Sequence, residues 1–79
     1  MIKKVFIDTD IILDVAFARE PFFTNSKMIL VMAEHNKIFG TISSNCIANI
    51  YYILRKFGGD INARKFISGI VKFITVIPI

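Results

Sequence analysis

The feature that most constrains the fold of this chain is a set of three short runs of β-branched and aromatic residues. Two segments with helical periodicity separate each run from the next. The first run covers residues 3–7 and stops at Asp8, the second covers residues 38–42 and the third covers residues 73–77. Runs of this length and composition are typical of buried strands. Because strands joined through helices run parallel, the sequence predicts an α/β fold in the order β-α-α-β-α-α-β, with right-handed crossovers and helices on the faces of the sheet.

The two helices of the first interval have recognisable ends. Asp8 or Thr9 is expected to cap the first helix, which should end before Pro21 because a residue that precedes proline disfavours the α conformation. The second helix is expected over about residues 22–36. Its predicted inward face consists of Ile29, Leu30, Met32 and Ala33.

The two helices of the second interval are separated by a pair of glycines. Ser43 or Ser44 is the expected cap of the third helix, which should end at residues 58–59 because glycine tolerates the left-handed conformation. Asp60 is the expected cap of the fourth helix.

Composition excludes several classes of protein. A chain of 79 residues with 54% hydrophobic residues is at most one small domain and is not disordered. Its single cysteine, Cys46, excludes an internal disulfide framework and a multi-cysteine zinc site. The sequence has neither an uncharged apolar stretch of about 20 residues nor the apolar region of a signal peptide. We therefore expect a cytoplasmic protein without a membrane partner.

The charge balance is compatible with a nucleic-acid partner or an acidic protein partner. Ten basic residues against six acidic residues give a net charge of +4. Two basic pairs flank the glycine turn, Arg55 with Lys56 and Arg64 with Lys65. They are candidates for contacts to a nucleic-acid backbone, and the alternative is that they are ordinary solvated helix ends.

Three aspartates follow the first strand within seven residues. Asp8 is expected at the carboxyl end of that strand, where parallel sheets bind ligands, and Asp10 and Asp14 lie on one side of the next helix. Carboxylate oxygens suit Mg²⁺ or Mn²⁺, and three carboxylates so close together would repel without a cation between them. The alternative is that Asp8 and Asp10 only cap the helix and that Asp14 is solvated.

The third helix carries a polar line of Asn45, Asn49 and Tyr52, opposite its apolar face. This line faces either the same site, with Asn49 as an oxygen donor, or the solvent. Cys46 lies near the start of this helix, where a thiol pKa is lowered, although a small packed side chain is the simpler interpretation.

In combination, these segments resemble a PIN domain. The sequence Val-Phe-Ile-Asp-Thr-Asp-Ile-Ile-Leu-Asp at residues 5–14, followed by Arg-Glu-Pro-Phe at residues 19–22, is similar to the opening of that family. Ile-Ser-Ser at residues 42–44 and Asn-Ile-Tyr-Tyr-Ile-Leu-Arg-Lys at residues 49–56 resemble its second strand and third helix, and residues 76–78 resemble its third strand. The resemblance extends over the whole chain.

The resemblance implies a three-layer α/β/α sandwich with strand order 3-2-1-4-5. It also implies an endoribonuclease that depends on Mg²⁺ or Mn²⁺, of the VapC toxin type, with RNA as substrate and an antitoxin as protein partner. Asp8 matches the first acid of the family, which is a catalytic residue and a metal ligand. Thr9, Asp10 and Asn49 match supporting positions, although Asp10 stands where the family has asparagine and Asn49 where it has its second acid.

The resemblance also implies that residues 1–79 are the N-terminal portion of a single PIN domain, because the remaining acids and strands four and five of the family follow the third strand. We therefore expect the 79-residue chain alone to be inactive. The open edge of the first strand predicts a dimer or a larger homo-oligomer.

Two other interpretations remain open at this point. The first is a degenerate, non-catalytic module that only binds a protein partner. The second, less favoured, is a fragment of a haloacid-dehalogenase-like phosphatase with Asp8 as nucleophile and Asp10 as acid and base. That family has Gly-Thr after the second aspartate, whereas Ile11 and Ile12 follow Asp10 here.

Overall fold

A computed structural model describes residues 2–78 and confirms the predicted α/β class, with a parallel sheet and crossover helices. The elements are β1 (Lys3–Phe6), α1 (Thr9–Ala16), α2 (Phe23–Glu34), β2 (Ile38–Ser43), α3 (Ser44–Gly58), α4 (Asp60–Ile70) and β3 (Thr75–Ile77). None of the helices within the described residues is long and apolar enough to cross a bilayer.

The three described strands lie in the order β1-β2-β3, and both pairs are parallel. Val5 pairs with Gly40, and Ile42 pairs with Val76. This order agrees with the 3-2-1 part of the arrangement that the family resemblance implies. Both crossovers advance in the same direction, so right-handed connections place both helical pairs on the same face of the sheet. The packing of α1 against both α2 and α3 agrees with this placement.

One face of the sheet forms the core with the helices. Gly40 allows a close approach there, because a Cβ atom at this position would lie 3.3 Å from the Cβ atom of Ala33 in α2. Side chains from every helix and from the strand segments meet in one apolar cluster. Its buried members are Ile7, Ile12, Leu13, Leu30, Ala33, Ile42, Ile50, Leu54, Ala63, Ile70 and Ile74.

The other face of the sheet is partly open. Phe6 and Phe39 lie on this face and are 64% and 46% exposed. Thr41 pairs with Phe6 and follows Phe39 by two residues in β2. It is buried, and its hydroxyl donates a hydrogen bond to the carbonyl of Val5 at 3.2 Å. The shortest dimension of the molecule is 17 Å, which is about the thickness of one sheet and one layer of helices.

Helix α1 ends earlier than Pro21 predicts. Ala18 adopts a φ of 49°, and the amide groups of Ala18 and Arg19 donate to the carbonyls of Val15 and Asp14. These two bonds form a Schellman motif, which closes the helix at Ala16. The chain reversal therefore takes place before the proline and returns Arg19 toward α1.

Two further expectations are corrected by the structure. Met32 was expected on the inward face of α2 but is 39% exposed, whereas Ser26 is buried on that helix. Asp60 does not cap α4: it is the first residue of the helix, and Gly59, with a φ of 85°, occupies the cap position without a side-chain hydrogen bond.

Candidate functional site

Asp8 lies at the junction between β1 and α1. The amide of Ile7 still donates to the carbonyl of Thr41 at 2.7 Å, which holds the end of β1 against β2. Asp8 follows as the N-cap of α1, and its Oδ1 atom accepts a hydrogen bond from the amide of Thr9 at 2.7 Å. Asp8 therefore lies at the carboxyl end of β1. Because the residue is exposed, its carboxylate is accessible to a ligand.

The start of α3 lies beside Asp8. Ser43 caps α3, since its Oγ atom accepts from the amide of Cys46 at 3.1 Å. Hydrogen bonds with the side chains of Ser43 and Thr9 lower the pKa of the Cys46 thiol, while burial and the negative charge of Asp8 act in the opposite direction. Because β1 and β2 are joined at their ends and α1 packs against α3, the first turns of α1 and α3 lie close together. Because helix N-termini attract anions, their meeting point at the end of the sheet suits a negatively charged ligand.

Asp14 is a buried residue with two side-chain partners. Its residue is 8% exposed, its Oδ2 atom accepts a hydrogen bond from the Ser26 hydroxyl at 3.0 Å, and its Oδ1 atom lies 3.0 Å from Nη2 of Arg19. The alternative of a solvated Asp14 is therefore wrong. Asp14 instead connects α1, the loop after it and α2.

Asp10 belongs to the same cluster but stands in solvent. Its side chain is 80% exposed, and its Oδ1 atom lies 3.9 Å from Nη2 of Arg19. Arg19 therefore supplies a cation between Asp10 and Asp14. The guanidinium of Arg19 thus reduces the repulsion between the aspartates, which was the argument for a metal ion at this position.

The described residues do not fit a divalent metal by themselves. Within residues 2–78 there is no group of three or more His, Cys, Asp or Glu side chains arranged to hold a metal ion. Asp14 is occupied by Arg19 and Ser26, so of the three aspartates that follow β1 only Asp8 and the solvated Asp10 are left to bind a ligand. Mg²⁺ dehydrates reluctantly and is held through carboxylates and water, and Asn49 offers only a neutral oxygen.

The polar line of α3 is exposed along its length. Asn45, Asn49 and Tyr52 all face solvent, whereas Ile50 and Leu54 on the other side of the helix are buried. Cys46, between Asn45 and the core, is half-buried. The predicted supporting residue Asn49 therefore lies on the surface, one turn along α3 from the thiol that interacts with Thr9.

The basic residues of the glycine turn differ in their surroundings. The Nε atom of Arg64 lies 2.8 Å from Oδ2 of Asp60, and the other carboxylate oxygen, Oδ1, accepts a hydrogen bond from the Tyr51 hydroxyl. The hydrogen bond with Tyr51, followed by the positive charge of Arg64, lowers the pKa of Asp60, and the charge of Asp60 raises the pKa of Arg64. Lys56 and Lys65 are exposed. Arg64 thus has a structural role besides the predicted contact to RNA.

Sequence reasoning missed two residues of this region, Arg19 and Ser26. The sequence pattern places Arg19 only within the segment that resembles the opening of the family, and it does not single out Ser26. The available signals were an arginine five residues after Asp14 and a small hydroxyl residue in the first turn of α2. These residues meet only because the left-handed Ala18 reverses the chain.

Comparison with known proteins identifies one family. A family model described as a PIN domain matches residues 4–79, which is nearly the whole chain. Neither the curated proteins nor the solved structures contain a match.

Proposed function

The chain belongs to the PIN domain family, and we propose that it contributes Asp8 as a catalytic carboxylate to an endoribonuclease. The family is of the nuclease type. The observation that carries the proposal is the position of Asp8, which is exposed at the carboxyl end of β1, where the first turns of α1 and α3 lie close together. Family membership removes the support for the phosphatase interpretation of Asp8 and Asp10.

We further propose that cleavage requires Mg²⁺ or Mn²⁺ held by Asp8 together with carboxylates that residues 2–78 do not supply. The support is the donor set, because Asp14 is occupied and the remaining acids of the described region do not form a three-ligand group. In this proposal residues 1–79 are the N-terminal portion of one PIN domain, and they do not cleave RNA on their own. In this proposal the residues around Asp8 that help to form the site are Thr9, Asp10 and Asn49.

We also propose that the protein is a cytoplasmic toxin that an antitoxin neutralises, and that it forms homo-oligomers. The support for the protein partner and for the oligomer is the set of exposed apolar side chains on two faces of the described residues, since exposed apolar surface marks sites of protein interaction. Phe6 and Phe39 are exposed on the sheet, and Met28, Val31 and Met32 are exposed on one side of α2. Light scattering tests the oligomer, and a single monomeric mass would contradict it. Expression of the protein in growing cells tests the toxin. Growth arrest that is abolished by Asp8→Asn would support a toxin, and unimpaired growth on expression of the wild type would contradict it.

Cleavage of single-stranded RNA tests the function. The protein as its gene encodes it and the 79-residue chain are incubated with a labelled RNA, with Mn²⁺ or with EDTA. We expect cleavage by the gene-encoded protein in Mn²⁺, none in EDTA and none by the 79-residue chain. Circular dichroism under the assay conditions is the control that tests whether the 79-residue chain is folded.

Two results would contradict the proposal. Metal-dependent cleavage by the 79-residue chain would show that these residues complete a site without further carboxylates. Absence of cleavage in all samples, with stable binding of a purified protein partner, would favour the non-catalytic module instead.

A further inference from the structure

Four exposed side chains form a continuous strip along α3, which we call the α3 ridge. It consists of Asn45, Asn49, Tyr52 and Lys56, all exposed. Their spacings of four, three and four residues place them on one side of the helix. The buried residues Ile50 and Leu54 lie on another side, so the core does not require these four residue types.

The α3 ridge begins beside the candidate site. Asn45 lies in the first turn of α3, which begins where β2 ends. The end of β2 lies beside the end of β1, where Asp8 follows, because the amide of Ile7 donates to the carbonyl of Thr41 at 2.7 Å. From Asn45 to Lys56 the ridge extends about 16 Å along the helix, since each residue advances about 1.5 Å. It therefore forms a track that leads away from the proposed catalytic carboxylate.

The chemistry of the α3 ridge is that of a surface for single-stranded nucleic acid. The side chain of Tyr52 is a large aromatic group on a residue that is 68% exposed, and exposed rings are platforms on which bases stack. Amides such as those of Asn45 and Asn49 hydrogen-bond to base edges, and a lysine binds phosphate. The neighbouring Tyr51 differs, because it is half-buried and bonded to Asp60.

The charge of the surrounding surface complements phosphate. Helix α3 contains no acidic residue. Together, α3 and α4 carry four basic residues against the single acid Asp60, so they hold three of the four net positive charges of the chain. The basic residues are Arg55, Lys56, Arg64 and Lys65.

We infer that the α3 ridge binds the RNA strand on one side of the cleavage position, with Tyr52 stacking on a base and Lys56 contacting a phosphate. This inference rests on the proposed function, because it assigns a path to the RNA that Asp8 acts on. An acidic protein segment suits the ridge less well, since it has no flat base to stack on the exposed ring of Tyr52.

Binding of RNA without cleavage tests the inference. Fluorescence anisotropy measures the affinity of the gene-encoded protein for a labelled single-stranded RNA in EDTA, at several salt concentrations. Tyr52→Ala should weaken binding about tenfold through the loss of one stacked base. Lys56→Gln should reduce the slope of log affinity against log salt by about 0.7, the value for one phosphate contact with a single strand.

Matched controls separate the ridge from general effects. Phe22→Ala removes another exposed ring, and Lys27→Gln removes a basic charge from α2. Both should bind RNA within about twofold of the wild type, because neither residue lies on the ridge. Asn49→Asp places a negative charge on the ridge without changing a buried residue, and it should weaken binding to RNA at low salt.

The outcomes distinguish the ridge from the proposed function. Wild-type affinity in Tyr52→Ala, Lys56→Gln and Asn49→Asp, together with cleavage by the wild-type protein, would overturn the ridge alone. Weakened RNA binding in these variants, without cleavage by the wild type, would support the ridge and contradict the ribonuclease. Normal RNA binding with loss of binding to a poly-glutamate peptide would overturn the inference in favour of an acidic protein partner.

Discussion

The two ends of α1 use aspartate in opposite ways. At the N-terminal end, Asp8 is exposed, caps the helix and lies beside the start of α3. At the C-terminal end, Asp14 is buried and bound by Arg19 and Ser26. The difference shows that burial and available partners, rather than residue type or spacing, decide whether a carboxylate is free to act or holds the fold together.

The largest effect on stability is expected between these two ends, at Ile12. This residue is completely buried, so Ile12→Ala should lower the free energy of unfolding by about 2–5 kcal/mol. Urea denaturation followed by circular dichroism measures the loss. Ile61→Ala is the control, because Ile61 is 76% exposed and its truncation should cost less than about 0.5 kcal/mol. Similar losses in both variants would mean that α1 does not organise the core as described.

Asp14→Ala is expected to have the next largest effect. It leaves the Ser26 hydroxyl and the Arg19 guanidinium without their acceptor, which should cost about 1–3 kcal/mol. Asp10→Ala removes the other carboxylate near Arg19 and should cost less than about 0.5 kcal/mol, because Asp10 is solvated. Thermal unfolding compares the two variants, and equal losses would contradict the distinction between a structural and a solvated aspartate.

Ser26→Ala should destabilise the protein less, by about 1 kcal/mol, because Asp14 keeps its ion pair with Arg19. The double variant with Asp14→Ala should lose less than the sum of the two single losses, since the same hydrogen bond is removed only once. Denaturant unfolding of the four proteins gives this coupling. Additive losses would show that Ser26 and Asp14 do not interact in solution.

The smallest effect is a pH dependence at Asp60, away from α1. Because Tyr51 and Arg64 lower the pKa of Asp60 in the folded protein, its contribution is present above the pKa of the unfolded chain, about 3.9. It is lost as the pH falls through the lower folded pKa. Asp60→Asn should therefore unfold at a slightly lower temperature than the wild type at pH 7, with no difference at the acid end of a pH series. A difference in unfolding temperature that grows as the pH falls would contradict this account of Asp60. Glu34→Gln, which removes a carboxylate from the end of α2, is the control for the loss of one negative charge.

The fold and the position of Asp8 could be predicted from local patterns. A strand that stops at an aspartate, followed by a helix, places that aspartate at a strand end whatever the rest of the chain does. The glycine pair after α3 likewise fixed a helix end, as Gly59 has the positive φ that glycine favours. These features depend on neighbours in the sequence.

The cluster around Asp14 could not be predicted in this way. It depends on the left-handed conformation of Ala18, a residue that rarely adopts it, and on the packing of α2 against α1. The prediction that Met32 lies on the inward face of α2 was wrong because it also depended on this packing. Ser26 is on the side of α2 that faces α1, where its hydroxyl donates to Asp14. The meeting of Thr9 and Cys46 also required the tertiary structure.

The RNA cleavage rate of Asp8→Asn in the gene-encoded protein tests the central claim most directly. Asparagine retains the helix cap, so the temperature of unfolding should stay close to that of the wild type. We expect the cleavage rate to fall about a hundredfold or more, because the proposed site loses a ligand carboxylate. Glu34→Gln, which removes a carboxylate from the end of α2, should cleave at the wild-type rate. Cleavage by Asp8→Asn at the rate of Glu34→Gln would contradict the account.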